Sequence, residues 1–191
     1  ESKNENFDKR WKIIESAIQN KISTYTSSSI GRLFDALSSV LGICEYSHYE
    51  GEAAIRLEEY ALEAEKKNIL PTELKFNLNV NQQQDIIIDQ LTFFRDVVLK
   101  IRKNDEKNIY ALALGIHRGI SKMILNVIQQ ISKEYNLKKV ALSGGVFQNR
   151  ILLEYTEKLL NEHGYRVYTN IMVPPNDGGI ALGQVYIGMQ Y

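Results

Sequence analysis

Residues 138–155 read KKVALSGGVFQNRILLEY. The apolar run KKVALS has the composition of a strand, and NRILLEYTEKLLNEHG (149–164) has helical period and stops at Gly164. Between them stand Gly144 and Gly145. Glycine weakens both kinds of element, so the pair marks either a tight turn or a place where a ligand approaches bare backbone. Downstream, YRVYTN (165–170) reads as a second strand, IMVPPNDGG (171–179) as a loop and IALGQVYIGMQ (180–190) as a closing helix. Strand, helix, strand, loop, helix predicts an α/β layer with parallel strands, in which ligands sit beyond the carboxyl ends of the strands. Gly144–Gly145 and Gly178–Gly179 both fall at that edge, each opening a helix.

Upstream, residues 107–134 read as one long apolar helix, little broken by Gly115 and Gly119. Ile30, Leu33, Phe34, Leu37 and Leu41 form a stripe at i, i+3, i+4 spacing, with Gly42 in the place of a C-terminal cap. A further helix over 52–67 buries Ala54, Leu57 and Ala61 and turns a face crowded with Glu and Lys outward. Residues 7–22 place Phe7, Trp11, Ile14, Ile18 and Ile22 on one helical face, for a core or for docking. The least regular part is 68–106, where ELKFNLNV alternates like a half-buried strand and DIIID is a short strand or a helix start. The expected organisation is an N-terminal helix (1–24), a core formed by 25–67 and 107–191, and an insert at 68–106.

The 191 residues are 44% hydrophobic and 24% charged, enough for a real core, and 23 basic residues balance 23 acidic ones. A neutral total gives no global attraction to nucleic acid or an anionic membrane. No run approaches the ~18 apolar residues of a membrane span. One cysteine, Cys44, excludes an intrachain disulfide and, lacking any motif, is expected to be a small buried hydrophobe. The polar N-terminus has no signal-peptide core, so a cytoplasmic location is expected. Opening on Glu1 rather than Met is what a piece of a longer protein would show.

In SGGVFQN, two glycines expose N–H donors at a helix start, a setting that favours an anion, and Asn149 stands one turn on to reach a ribose or phosphate oxygen. A plain tight turn with a surface amide is the competing reading. In PPNDGG, Asp177 is either an N-cap or a carboxylate ligand for a cation. Asp35 interrupts an apolar stripe, which suits a paired role; an exposed helix residue or an ion pair with Arg32 is the competing reading. His48, His117 and His163 share no metal-ligand spacing; His117 is expected to be packed, and His163 to meet a helix C-terminus.

Four segments, SSSIGRLFDALSSVLG, YEGEAAIRLEEYA, ALSGGVFQNRILLE and VPPNDGGIALGQ, strongly resemble the C-terminal end of the hydrogenase-maturation carbamoyltransferases. The resemblance runs in order from about Tyr25 to Gly188. It implies the second lobe of a two-lobed actin/hexokinase/Hsp70-like fold, helix-rich α/β, related to tRNA threonylcarbamoyl-transfer proteins and antibiotic O-carbamoyltransferases. It also implies an enzyme that makes carbamoyl-adenylate from ATP and carbamoyl phosphate. The carbamoyl group then passes to the C-terminal cysteine of a maturation partner, toward the cyanide ligands of [NiFe]-hydrogenase.

By the same resemblance, Gly144, Gly145 and Asn149 match the family's nucleotide-contacting GG-x-x-x-N, Asp35 matches a ribose-binding aspartate and Gly51 a glycine beside it. Asp177 matches a metal-binding aspartate (Mg, Fe or Zn). The family's other metal ligands, an H-x-x-x-H pair, belong to a first lobe and have no counterpart here. A first lobe and upstream domains are therefore expected partners, the isolated lobe is expected to be inactive, and its bared apolar surface is expected to form a homodimer. The rival expectations are a docking module without chemistry, a small-molecule kinase of the same superfamily, and a related tRNA-modifying or O-carbamoyl transferase.

Overall fold

The structure, a computed structural model, describes residues 2–83, 85–102 and 104–190, with side chains from Lys9 onward. The element order is α1 (Ser2–Gln19), α2 (Ile30–Val40), α3 (Glu52–Lys66), β1 (Asn77–Val80), β2 (Ile86–Asp89), α4 (Gln90–Lys100), α5 (Glu106–Tyr135), β3 (Lys139–Leu142), α6 (Arg150–Glu162), β4 (Arg166–Thr169) and α7 (Ile180–Gly188). Short 3₁₀ turns at Gly145–Gln148 and Asp177–Gly179 precede α6 and α7. The helix-rich α/β class agrees with the sequence reading.

The core is built around α5. Its Leu112, Ile116 and Ile120 are fully buried against Leu57, Ala61 and Ala64 of α3, Leu33, Phe34 and Leu37 of α2, and Ile151 and Leu152 of α6. α5 is long and apolar enough to cross a membrane, yet most of that window is buried inside the fold, as in a core helix. The stripe on α2 ends as its sequence predicts. Gly42, at φ 72°, lets its own N–H reach the Ser39 carbonyl and that of Ile43 reach the Ser38 carbonyl, which satisfies carbonyls left over at the helix end.

Residues 68–106 do not lie outside this core. β1 and β2 form an antiparallel hairpin, and α4 follows with Asp89 as its N-cap. Phe76 and Phe93 stack at 3.8 Å between centroids, and Leu74 and Val97 are buried with them. Gly115 and Gly119, read as mild interruptions of α5, have a packing reason. A Cβ on Gly115 would stand 2.3 Å from the Thr72 carbonyl oxygen, and one on Gly119 would meet Phe93 at 3.1 Å and the Leu74 oxygen at 3.2 Å. The bare helix face lets the 72–74 backbone cross it, and Thr72 N–H donates to the Ala111 carbonyl there.

β3 and β4 are parallel, in register Lys139↔Arg166 to Leu142↔Thr169, with α6 as the crossover. A second apolar cluster (Leu125, Leu142, Leu160, Tyr165) closes one face of this pair. The KKVALS strand had read as apolar throughout. Here it is covered on the Val140–Leu142 side only, and Lys139 and Ala141 face outward, because among the described residues nothing packs on the second face.

Candidate nucleotide-binding edge

Beyond the carboxyl ends of β3 and β4, the two glycine loops meet. Gly144 N–H donates to the Pro175 carbonyl at 2.8 Å. Gly144 holds φ 102° and ψ 156°, a conformation open essentially to glycine alone. Gly145 needs no such freedom, and a Cβ there would sit 3.8 Å from the Asn176 Cβ, an ordinary contact. Gly179 closes the other loop against Pro174, where a Cβ would come within 2.8 Å of the carbonyl oxygen. Both glycine pairs therefore sit on one edge, as the strand–helix pattern predicts.

The donors at that edge are distributed differently from the sequence expectation. The N-terminus of α6 is already capped by the protein itself. Asn149 Oδ1 accepts from Leu152 N–H at 2.9 Å, and Glu58 of α3 accepts from Arg150 N–H at 2.6 Å. Burial pushes the Glu58 carboxyl up, and the N–H groups of Arg150 and Ile151 work against that. What remains for a ligand is one step earlier. Among the described residues no acceptor meets the N–H of Gly145 or Val146, the first two of the 3₁₀ turn.

Asn149 is not a surface amide. It is 9% exposed, and its Nδ2 lies 2.9 Å from Nε2 of the fully buried His117. One Nδ2 hydrogen serves that contact, and the second has no partner among the described residues. His117 is packed, as expected of an apolar helix, with its ring 5.1 Å from Phe34 and Nδ1 donating to the Ala113 carbonyl. His163 caps the end of α6 through the Leu159 carbonyl, and Cys44 is buried, both as expected.

Asp177 is not the N-cap of its turn. Asn176 takes that place, accepting from Gly178 N–H, and the exposed Asp177 carboxylate has no side-chain partner among the described residues. Three or more metal-ligating side chains gather nowhere among the described residues. Asp35 pairs with Arg32 at 3.2 Å, and its neighbour Phe34 touches His117, which ties α2 to the Asn149 end of the edge. Gly51, at φ 81°, starts α3, the helix that carries Glu58.

Glu58 and the His117–Asn149 couple escape a sequence reading. Glu58 is one of several glutamates on a charged helix face, and no local pattern singles it out. Glu52, at the start of α3, is buried as well. It accepts from His48 N–H and pairs with Arg56 at 2.6 Å; the His48 N–H bond chiefly holds its carboxyl below the usual range.

The family described as "Carbamoyltransferase, Kae1-like Domain, second subdomain" matches residues 1–184. Similar curated proteins are a carbamoyltransferase HypF of Synechocystis sp. (31% identical, over 86% of this chain and 20% of that one) and one of Rhodobacter capsulatus (33%, over 87% and 20%). Among solved structures, full-length HypF in a phosphate- and nucleotide-bound form superposes with a TM-score of 0.81 at 33% identity, over 94% of this chain and 23% of that one. The T. kodakarensis HypF gives 0.75 at 26% identity, over 94% and 22%. The chain spans about a fifth of the length of these relatives.

Proposed function

Because the chain belongs to the HypF carbamoyltransferase family, as the second subdomain of its Kae1-like domain, we propose that it is the nucleotide-binding lobe of such an enzyme. The observation that carries this reading is the joined pair of loops beyond β3 and β4, which leaves the Gly145 and Val146 N–H groups uncommitted at the edge where α/β layers take ligands. A similar structure described as phosphate- and nucleotide-bound supports it.

In this reading the Gly145 and Val146 N–H groups receive a phosphate oxygen of ATP or carbamoyl-adenylate, and the spare Nδ2 hydrogen of Asn149 meets a neighbouring oxygen. Asp35 and Gly51 border the ribose from α2 and α3. Asp177 supplies one ligand to a divalent cation whose other ligands lie outside this chain; the cation adds positive charge beside the phosphate. A thiolate at the C-terminus of a maturation partner attacks the carbamoyl carbon, a C–S bond forms, the C–O bond to the adenylate phosphate breaks and AMP leaves. The lobe needs no nucleophile of its own for this, since the sulfur is the partner's. The exposed apolar helices α1 and α7 fit docking as well, but docking alone gives no reason for two open N–H groups beside an unpaired carboxylate.

Calorimetric titration of the chain with ATP, with and without Mg²⁺, tests the reading, and a first lobe from a family member is added in a second arm. Binding in either arm that Gly145→Val reduces at least tenfold is the expected result. The Cβ contact at 3.8 Å lets that variant fold while its side chain blocks the approach to the turn. Equal binding by a folded Gly145→Val would remove the phosphate from this turn.

A further inference from the structure

Where α5 meets the 144–149 turn it carries a buried imidazole, His117, that the proposed chemistry leaves unused. Its hydrogen-bond roles follow from one donor. Leu152 N–H needs an acceptor, so the Asn149 oxygen points to it, at 2.9 Å. The Asn149 nitrogen then faces His117 Nε2 at 2.9 Å, which must be the unprotonated ring nitrogen. The ring proton sits on Nδ1, where the Ala113 carbonyl takes it at 2.8 Å. The arrangement continues along the same helix interface, with Ser121 Oγ donating to the His117 carbonyl and Thr156 Oγ1 donating to Ser121. His117, Ser121 and Thr156 are all fully buried, so no water competes for these bonds.

We propose that His117 is a positioning residue for the nucleotide loop: through Nε2 it fixes the Asn149 amide, so that one end caps α6 and a single Nδ2 hydrogen is left for the ligand. The inference rests on the nucleotide reading of the turn given above. Neutral imidazole suits the task, because an imidazolium has no lone pair for Asn149, and burial keeps the ring neutral, with a pKa lowered to about 4. Burial causes that shift, the bond to the Ala113 carbonyl works against it, and no charged side chain contributes. Phe34 of α2 covers the ring, so the same imidazole joins the helix bearing Asp35 to the turn bearing Gly145.

Three variants of the 191-residue chain test this. His117→Leu removes the acceptor, His117→Gln keeps one, and Asn149→Asp keeps the α6 cap while replacing the donor toward His117 with an oxygen. Amide hydrogen exchange at Phe147 and Asn149, whose N–H groups bond to Gly144 and Val146 carbonyls, reports the turn without any ligand. In His117→Leu those amides are expected to exchange about tenfold faster while amides of the α5 centre keep their rates, and ATP affinity falls about tenfold. His117→Gln is expected to recover both. In Asn149→Asp the imidazole nitrogen shifts are expected to show a proton on Nε2, because the oxygen that replaces the amide nitrogen accepts.

Unchanged exchange at Phe147 and Asn149 in His117→Leu overturns the proposal, as does a His117→Gln variant as impaired as His117→Leu. If His117→Leu does not fold, an Nδ1–H tautomer persisting in Asn149→Asp overturns it instead. Wild-type chain that binds no ATP, with or without a first lobe, defeats the nucleotide reading. The exchange and tautomer readouts still decide whether His117 holds the turn.

Discussion

His117 carries no charge in the folded chain, since burial lowers its pKa from 6.5 to about 4. An unfolded histidine takes up a proton as pH drops through about 6.5, and the folded one resists until about 4. Between those values the unfolded state binds more protons, so stability falls as the pH falls, by up to about 3 kcal/mol over the whole window. Carboxylates held below their usual range, such as Glu52, add their own loss only at lower pH, below about 4.5. Urea melts of the wild type and His117→Gln at pH 7, 6 and 5 isolate the histidine. The wild type is expected to lose stability over that span while the variant stays flat. Parallel curves would mean that water reaches the ring.

At the scale of elements, the fold depends on how close backbones come. The segment 72–74 crosses α5 over Gly115 and Gly119, where there is no room for a methyl group beside the Thr72 carbonyl. Gly115→Ala gains helix propensity, roughly 1 kcal/mol, but must push a hydrogen-bonded backbone away from the helix. A net loss of about 2 kcal/mol or more is expected in denaturant melts, and an increase in stability would show that the 72–74 segment shifts freely. Helix ends tell the same story in reverse, because they are local. Gly42 and Gly164 end α2 and α6 in left-handed conformations, with the following N–H groups closing back on the last turn, and both ends were readable from a glycine after a periodic run.

At the scale of the whole molecule, apolar surface is concentrated at the two chain ends. On α1, Trp11, Ile14 and Ile18 are half or more exposed; on α7 and just after it, Val185, Tyr186 and Met189 are likewise exposed. Phe7, which belongs to the same stripe, has its side chain outside the described residues. The outer face of the β3–β4 pair is open as well. Surfaces of this kind associate. Light scattering coupled to size exclusion is expected to show a mass that rises with concentration, and adding a family first lobe is expected to suppress it. One-chain mass at every concentration would argue that these helices fold back against the lobe in solution.

Strand, turn and helix order at residues 138–190, the glycine-ended helices and the apolar stripes were legible in the sequence, because periodicity and capping act within a few residues. The two-loop edge was legible for the same reason: parallel strands put successive loops on one side. Which donors stay open there was not. Asn149 looked like a ligand contact, and only the packing of α5 against α6 turned its amide onto His117 and its oxygen onto the helix it caps. Glu58 reached Arg150 N–H across 92 residues of chain, a distance over which no local pattern carries information. Sequence determined the elements and their order, because those depend on neighbours along the chain. The tertiary structure alone decided which polar groups were used up and which were left free, because a hydrogen bond is settled by what lies opposite in space.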